Sequence, residues 1–355
     1  MVAESKKLNA RQNYDLVLSP DESRIMSLVL VTGGAGFIGS HLVDELLKRG
    51  FRVIAYDNLI NGKLRNLQHA MKSSDFRFTE ADILDSDALD RELSGVDAVF
   101  HLACMGVRHS IHSPMENHRV NAEGSLRVLE ASRRHGVRKF FYISTSEIYG
   151  DIHQFPISED GVPLPKTVYG SSKLAGEHYA YSYHICYGLD VTITRIFNNY
   201  GPRAHYEGDA GEVIPRSIVK MLYGEPPVIY GDGSVTRDFF YVEDTARALC
   251  DLLATPGLTG EIINIGTGEE IPMRELLTEL IGAMGLSEHM RIRFEADRPA
   301  DVPRLWVNPA KFRKITGFSP SVTFREGLMK TISYYRDLMS SGNLLSEVME
   351  KNWER

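Results

Sequence analysis

Tyr169 and Lys173 are the residues whose types and spacing most directly suggest chemistry. Lys173 follows Tyr169 by four residues at the start of a segment with helical character, so both side chains should lie on one helical face, one turn apart. An ammonium group beside a phenol is expected to lower the pKa of the phenol. A tyrosine activated in this way can take a proton from a hydroxyl group as hydride leaves the same carbon.

A glycine-rich turn precedes this pair, in the segment Val31-Thr-Gly-Gly-Ala-Gly-Phe-Ile-Gly39. It places Gly33, Gly36 and Gly39 between a β-branched run and an amphipathic segment. Glycines at such positions permit a tight turn, close approach of a pyrophosphate to backbone N–H groups, and close packing of a helix on a sheet. The turn therefore predicts a dinucleotide site.

Asp57 ends the next apolar run, about 20 residues beyond the glycines. Its carboxylate can accept hydrogen bonds from ribose hydroxyls and would repel a ribose phosphate, and no arginine follows it directly. These features favour NAD over NADP as the cofactor. Asp82 and Ile83, after the following run, are placed to flank the adenine, although Asp82 equally fits a solvated turn.

The elements that must position these residues follow from the distribution of apolar residues. Short β-branched runs alternate with segments of helical period, which predicts parallel strands joined by crossover helices. The fold class is therefore α/β, with a doubly wound parallel sheet of the Rossmann type. The predicted strands are Leu28 to Thr32, Val53 to Tyr56, Phe76 to Thr79, Ala98 to His101, Lys139 to Ser144 and Val191 to Arg195; the predicted helices are His41 to Arg49, Asp87 to Leu93, Pro114 to His135 and Tyr169 to Tyr187.

After residue 195 the alternation of apolar runs and helical segments becomes less regular, and glycine- and proline-rich connections appear. This change predicts a smaller C-terminal α/β domain that binds the substrate. We expect a cofactor domain over residues 26–195 plus about 236–265, and a substrate domain over 196–235 plus about 266–340. Residues 1–25 form an N-terminal arm and 341–355 a C-terminal tail. The site should lie in the crevice between the two domains.

Composition narrows the possible partners. The 40 basic and 47 acidic side chains among 355 residues give a formal charge of -7, which offers no basic surface for nucleic acid or anionic lipid. A polyanionic ligand would need a local cluster of arginines. No apolar run approaches the roughly 20 residues of a membrane span, so we expect a cytoplasmic protein. The three cysteines, Cys104, Cys186 and Cys250, show neither a metal-binding nor a disulfide pattern.

From Met26 to about Asp337 the chain resembles an extended short-chain dehydrogenase/reductase of the nucleotide-sugar epimerase and dehydratase family. The motifs that carry this resemblance are Thr32-Gly-Gly-Ala-Gly-Phe-Ile-Gly39, Asp57-Asn58, His101-Leu-Ala103, Thr145, Tyr169 with Lys173, Arg195-Ile-Phe-Asn-Asn-Tyr-Gly-Pro-Arg203 and Tyr230-Gly-Asp-Gly-Ser-Val-Thr-Arg-Asp-Phe-Phe-Tyr-Val-Glu-Asp244.

The resemblance implies a role for each matching residue. Thr145 would hydrogen-bond the 4-hydroxyl of the sugar, Tyr169 would be the base for oxidation at C4, and Lys173 would bind the nicotinamide ribose. The residues implied to bind NAD are Gly33, Gly36, Phe37, Ile38, Gly39, Asp57, Asn58, Asp82, Ile83, Leu102, Ala103, Tyr169 and Lys173. Those implied to bind a nucleotide-diphosphate sugar are Asn198, Arg203, Arg237 and Arg298. The resemblance also implies a homodimer through the two long helices.

Glu147 bears on the reaction step after the oxidation. A ketone at C4 makes the C5 proton acidic, and family members that eliminate water across C5 and C6 resemble this chain in carrying glutamate two residues after the threonine. The alternative is a carboxylate that caps a backbone turn. Ser146, counted with the catalytic residues, departs from dehydratases of deoxythymidine-diphosphate glucose, which carry aspartate there. Serine is found in dehydratases of guanosine-diphosphate mannose and in decarboxylases of uridine-diphosphate glucuronate.

The predicted function is therefore a nucleotide-sugar 4,6-dehydratase, with three alternatives left open. A 4-epimerase needs no carboxylate at Glu147. A uridine-diphosphate-glucuronate decarboxylase is supported by Cys104 but opposed by Leu174, where such enzymes carry arginine. The last alternative is an NAD-binding sensor without turnover.

Two loops carry polar residues whose roles the sequence leaves open or unassigned. Arg108, in the loop expected to meet the hexose, either binds substrate or is an ordinary loop residue. The acidic loop of His205, Glu207 and Asp209 lacks metal-ligand spacing, so no metal is assigned.

Overall fold

The structure is a computed structural model that describes residues 27–354, so the predicted arm over 1–25 lies outside the described residues. Its centre is a seven-stranded sheet, with the strand order β3-β2-β1-β4-β5-β6-β11. All neighbouring strands in it run parallel. The doubly wound fold is confirmed. The strands are β1 (Leu28–Thr32), β2 (Arg52–Asp57), β3 (Phe76–Glu80), β4 (Ala98–His101), β5 (Lys139–Thr145), β6 (Val191–Ile196) and β11 (Ile262–Ile265).

Helices cover both faces of this sheet, because successive side chains of each strand point to opposite faces. In β1, Val29 and Val31 pack in one core with Leu42 and Leu249, whereas Leu30 packs in another. The first core is closed by α1 (Phe37–Lys48), α8 (Val242–Ala254) and α10 (Ala310–Thr316); the second by α2 (Ser86–Leu93), α5 (Ser125–Arg134) and α6 (Val168–Tyr187).

The segment predicted as one helix over 114–135 is helical throughout residues 114–134, with a π-helical stretch inside it. It consists of α4 (Pro114–His118), a π-helical stretch (Arg119–Gly124) and α5, and it follows α3 (Val107–His112). The side chains of Asn117 and Asn121 turn towards the loop after β4, where both donate to the carbonyl of Met105. Asn121 also accepts from the Met105 N–H, at 2.8 Å. Such a π-helical irregularity often marks a functional position.

A smaller α/β unit packs around a core of its own, above the carboxyl edge of the sheet. Its helices and short strands are β7 (Asn198–Tyr200), α7 (Val213–Leu222), β8 (Val228–Tyr230), β9 (Thr236–Arg237), β10 (Phe239–Tyr241), β12 (Ile271–Pro272), α9 (Met273–Ala283), β13 (Arg293–Glu295), β14 (Arg304–Leu305) and α11 (Phe324–Met339). Within residues 27–354, none of the helices is both long and apolar enough to cross a membrane.

Candidate active site

A cleft of about 460 Å³ lies between the carboxyl edge of the sheet and the smaller unit. Residues of both units line it, including Gly33 and Asp57 at one end and Tyr230 and Trp353 among the residues of the smaller unit and the chain end. Parallel α/β sheets bind ligands at this edge, because their helices begin there and the strand order reverses there. Tyr169 and Lys173, from the first turns of α6, line the same cleft.

The glycine turn is built so that only glycine fits at two of its positions. Gly33 has a φ of +69°, and a Cβ on it would lie 2.9 Å from the backbone nitrogen of Ala103. A Cβ on Gly39 would lie 2.1 Å from the carbonyl oxygen of Gly33. The turn therefore brings bare backbone to the cleft, as binding of a pyrophosphate requires.

Asp57 closes this turn from the end of β2. Its Oδ2 accepts from the Ala35 N–H at 3.0 Å and its Oδ1 from the Leu59 N–H at 2.8 Å. Burial raises the pKa of the carboxyl group, against these hydrogen bonds. Asn58 donates to Asp82 at 2.9 Å, and Asp82 does not itself line the cleft. The other predicted cofactor residues line the cleft: Gly36, Phe37, Ile38, Asn58, Ile83, Leu102 and Ala103.

Lys173 is deeply buried and Tyr169 is partly buried, which changes the expected electrostatics. Burial raises the pKa of Tyr169 well above its ordinary value, while a hydrogen bond with Thr145 acts in the opposite direction. Lys173 is 2% exposed, its Nζ lies 4.4 Å from the centre of the Tyr142 ring, and burial lowers its pKa. The expectation that the Lys173 ammonium lowers the pKa of Tyr169 stays a prediction, because in the protein alone burial of the phenol acts in the opposite direction.

Glu147 follows β5 in a short 3₁₀ turn and lines the cleft. Within residues 27–354 its carboxylate has neither a hydrogen-bond nor an ion-pair partner, so it does not cap a backbone turn. Burial raises the pKa of this carboxyl group, and the positive charge of Arg237 opposes that shift. Ser146 lies on the same wall and is buried. An unpaired carboxylic acid facing a cleft is suited to proton transfer.

Three arginines, Arg108, Arg237 and Arg298, line the cleft and act electrostatically on Glu147. Arg237 and Arg298 share the carboxylate of Asp301, with Nη2–Oδ distances of 2.9 and 2.7 Å. Arg108 has a buried Nε without a partner in the described part of the chain. Burial, together with the charges of Arg298 and Arg216, lowers the pKa of Arg108 to about 10. Arg237 and Arg298 share the single carboxylate of Asp301, an arrangement that leaves guanidinium N–H groups able to bind an anionic ligand.

Asn198 also lines the cleft, and its buried Oδ1 has no partner among the described residues. Arg203 differs from the other predicted substrate residues. Its Nη1 lies 2.8 Å from Oδ2 of Asp44 in α1, and Arg203 is not among the residues lining the cleft. The prediction that Arg203 binds substrate does not fit this position, because the side chain already neutralises a carboxylate of the sheet's outer layer.

The acidic loop after β7 forms ordinary polar contacts. Nδ1 of His205 lies 3.2 Å from Oε1 of Glu207, and Oδ2 of Asp209 lies 2.9 Å from Nε2 of His112 in α3. The hydrogen bond between His112 and Asp209 joins the loop expected to meet the hexose to the smaller unit. Both loops are therefore held together over the cleft.

Sequence reasoning missed several residues that shape the site. Asn121 positions the loop after β4, and its only sequence signal was a poor helix former inside a helical segment. Asp301 pairs the two arginines, and Arg216 lines the cleft from α7. Trp353 lines the cleft from the chain end, which sequence reasoning treated as a tail. No local pattern distinguishes Arg216 or Trp353.

Comparison with known proteins identifies relatives of the whole fold. Residues 30–331 match the family model described as GDP-mannose 4,6 dehydratase. A UDP-glucose 4-epimerase of Mycolicibacterium smegmatis is 38% identical over 316 residues, which cover 87% of this chain and 98% of the relative. A dTDP-glucose 4,6-dehydratase of Streptomyces niveus is 36% identical over 317 residues, covering 87% of this chain and 93% of the relative.

Among solved structures, a dTDP-glucose 4,6-dehydratase from Streptomyces venezuelae, with NAD bound, superposes with a TM-score of 0.84. It is 35% identical, and the match covers 90% of this chain and 99% of that one. The relatives therefore include both dehydratases and epimerases at similar identity.

Proposed function

Because this chain belongs to the GDP-mannose 4,6-dehydratase family of NAD-dependent nucleotide-sugar dehydratases and epimerases, we propose that it is a nucleotide-sugar 4,6-dehydratase. Its substrate would be a hexose attached to a nucleoside diphosphate. The observation that carries the choice of dehydratase is the carboxylate of Glu147, which faces the cleft unpaired among residues 27–354 and has a raised pKa.

The cofactor end of the cleft fits NAD. The bare backbone at Gly33 and Gly39 suits the pyrophosphate, and the carboxylate of Asp57 suits ribose hydroxyls rather than a ribose phosphate. When bound there, NAD would supply the hydride acceptor for C4 and the hydride returned to C6. Lys173, buried beside it, would bind the nicotinamide ribose.

Tyr169 would take the proton of the 4-hydroxyl as the C4–H bond breaks, leaving a ketone at C4. The hydrogen bond between Thr145 and Tyr169 supports this assignment, because it places the threonine hydroxyl beside the phenol that must meet the sugar. Since burial raises the pKa of Tyr169, its phenol is protonated in the protein alone at neutral pH. It becomes a base only when positive charge reaches it.

Glu147 would carry out the elimination. Its carboxylate takes the C5 proton, the electrons of the C5–H bond form the C5–C6 double bond, and the C6–O bond breaks. The proton held by Glu147 then leaves with the C6 hydroxyl as water. As hydride is added at C6, C5 would take a proton from solvent, and Tyr169 would release to solvent the proton that it took from the 4-hydroxyl, so the reaction as a whole loses one water. Ser146 has no acidic proton to offer, so a single carboxyl group would act first as base and then as acid. A raised pKa suits a carboxyl group that must act first as base and then as acid.

The arginine side of the cleft would bind the diphosphate. Arg237 and Arg298 each present a guanidinium group to the cleft while sharing one carboxylate, that of Asp301. A diphosphate would supply the remaining negative charge, and guanidinium groups match phosphate oxygens in pairs. Arg108 would add its unpartnered Nε–H donor, and Asn198, which also lines the cleft, would add the N–H donors of its side-chain amide.

A 4-epimerase is the second candidate, and Ser146 favours it. Without a second acid beside Glu147, loss of the C6 hydroxyl relies on one group. An epimerase would need only Thr145, Tyr169 and room for the keto sugar to turn before it is reduced on its other face.

The test replaces Glu147 by glutamine, with Glu269→Gln as the control, since Glu269 is exposed and does not line the cleft. Each protein is incubated with uridine-, deoxythymidine-, guanosine- and cytidine-diphosphate hexoses, and the masses of the products are measured by mass spectrometry. We expect native protein and control to release a sugar lighter by one water, and Glu147→Gln to do so about 10²–10⁴ times more slowly. The near-ultraviolet absorbance of reduced nicotinamide should still rise in that variant. Dehydration at the native rate would refute the role of Glu147.

A further inference from the structure

The last residues of the chain return to the cleft. Residues 343–354, which we call the C-terminal strap, follow α11 and lie beyond the residues 30–331 that match the family model. The strap begins with a 3₁₀ turn (Leu344–Glu347), in which Leu344 is buried in the core of the smaller unit. Near its end, Asn352 is fully buried and Trp353 is 7% exposed. A chain end that buries such side chains is held in a defined place.

Polar contacts hold the strap against the wall of the cleft. Nδ2 of Asn352 donates to the carbonyl oxygen of Gly211 at 2.9 Å, in the loop before α7. Nη2 of Arg216, in α7, donates to the carbonyl oxygens of Met349 and Glu350 at 2.6 and 2.7 Å. The carboxylate of Glu350 lies 3.3 Å from Nζ of Lys220, one turn further along α7. The strap is therefore bonded to residues that themselves line the cleft.

The strap brings Trp353 to one wall of the cleft. The indole lines the cleft and packs edge-on against the ring of Tyr230, with 4.7 Å between ring centres and an interplanar angle of 86°. The Tyr230 hydroxyl donates to the carbonyl oxygen of Glu350 in the strap. The Tyr230 ring also lies 5.9 Å from the guanidinium of Arg298. The aromatic pair thus adjoins an arginine assigned to the diphosphate.

We propose that the C-terminal strap supplies Trp353 as a binding residue for the nucleobase of the substrate. This inference rests on the proposed function, since a nucleoside diphosphate with its phosphates on Arg298 and Arg237 has its base beyond them. The indole and Tyr230 both line the cleft there and would contact a base seated between them and the phosphates, and every nucleobase can pack on an aromatic side chain. Trp353 therefore strengthens binding without choosing among bases. Arg216, which has no carboxylate partner within residues 27–354, adds positive charge to the same wall.

The first experiment uses tryptophan fluorescence, because Trp306 is the only other tryptophan in the chain. Trp306 does not line the cleft, and its Nε1 donates to the carbonyl oxygen of Gly268. In a Trp306→Phe variant all tryptophan emission comes from Trp353. Uridine, deoxythymidine, guanosine and cytidine diphosphates are titrated separately. We expect a saturable change in emission for each diphosphate that binds, at the concentration at which calorimetry detects binding, and no change with inorganic pyrophosphate.

The second experiment compares binding by calorimetry in native protein, Trp353→Phe and Trp353→Ala. Loss of the aromatic ring should weaken nucleoside diphosphate binding about tenfold, and phenylalanine should restore most of it. Pyrophosphate, which has no base, should bind native protein and Trp353→Ala equally. If Trp353→Ala weakened pyrophosphate binding as much as nucleoside diphosphate binding, the strap would only support the arginines. That result would overturn the inference.

The remaining outcomes separate the two proposals. If nucleoside diphosphates bind native protein but neither change Trp353 emission nor lose affinity in Trp353→Ala, the inference fails and the proposed function stands. If native protein binds no nucleoside diphosphate, the proposed function fails and the inference fails with it. The fluorescence experiment keeps Trp353 in place, so it still tests the inference if Trp353→Ala does not fold.

Discussion

The carboxylate of Glu177 accepts three hydrogen bonds from the guanidinium of Arg195, at 3.1, 3.2 and 2.8 Å. Both side chains are 4% exposed. Glu177 lies one turn beyond Lys173 on the same face of α6, and Arg195 lies in β6. The ion pair therefore fixes the helix that carries Tyr169 and Lys173 to the central sheet.

Breaking this pair should destabilise the protein strongly. Replacement of Glu177 by leucine leaves the buried Arg195 charge without its carboxylate, and we expect the free energy of unfolding to fall by roughly 3–5 kcal/mol. Urea denaturation followed by circular dichroism measures the change. The double variant Glu177→Leu with Arg195→Met removes both charges and should recover a large part of the loss. A single variant as stable as native protein would contradict this account of the pair.

Removal of the Tyr169 hydroxyl should abolish turnover while the fold and the cofactor site persist. Since Tyr169 is the group that takes the 4-hydroxyl proton, kcat of Tyr169→Phe should fall about 10²–10⁴-fold. Its Kd for NAD, measured by calorimetry, should change far less. Tyr181→Phe is the matched control, because Tyr181 is an exposed tyrosine of the same helix. Native kcat in Tyr169→Phe would rule out its role as the base.

Arg237 should contribute to substrate binding more than to the rate of the chemical steps. Its guanidinium is buried and shares Asp301 with Arg298, so Arg237→Ala removes one cation and leaves that carboxylate less neutralised. We expect KM for the nucleotide sugar to rise at least tenfold, which corresponds to a loss of at least about 1.4 kcal/mol of binding. Arg274→Ala is the control, since Arg274 lies outside the cleft and packs on Phe294. Equal KM values for the two variants would contradict the assignment.

Two buried histidines should make the fold sensitive to acid. Burial lowers the pKa of His41 and of His101 to about 3, whereas the unfolded chain protonates histidine near 6.5. Between these values the unfolded chain binds more protons, so stability present above pH 6.5 is lost as the pH falls. Each histidine should lower the free energy of unfolding by roughly 1 kcal/mol for each pH unit below 6.5.

Urea denaturation at several pH values between 7.5 and 5 measures this loss. The two histidines together set a slope of unfolding free energy against pH, and His41→Asn should remove about half of that slope. The exposed His153 provides the control substitution, His153→Asn, which should keep the native slope. If His41→Asn kept the native slope, His41 would not be a source of the acid sensitivity.

Local sequence patterns predicted six of the seven strands of the sheet but not β11, because most of the parallel strands are buried on both faces and therefore read as apolar runs. The same patterns predicted the helix over 114–135 but not the π-helical stretch within it. There the side chains of Asn117 and Asn121 bond to the backbone of Met105, more than ten residues away, and the helix widens into a π-helical stretch. Periodicity describes a helix but not the tertiary contact that distorts it.

The residues of the site also fall into those that local motifs predicted and those whose positions depend on distant contacts. Motifs located Tyr169, Lys173 and the glycine turn, because their chemistry depends on spacing along one segment. The position of Arg203 depends on Asp44 in α1, and that of Trp353 on hydrogen bonds from Arg216 to residues more than 130 positions later in the chain. Contacts of that range leave no local pattern. The raised pKa of Tyr169 likewise follows from burial, which spacing alone does not report.

The central claim is that oxidation at C4 is followed by elimination of water, and a hexose carrying deuterium at C4 tests it most directly. The nucleotide sugar is incubated with native protein, and the product is analysed by mass spectrometry and NMR. We predict loss of one water, with the deuterium transferred to the C6 methyl group. A product of unchanged mass, with the deuterium retained at an inverted C4, would contradict the account and identify a 4-epimerase.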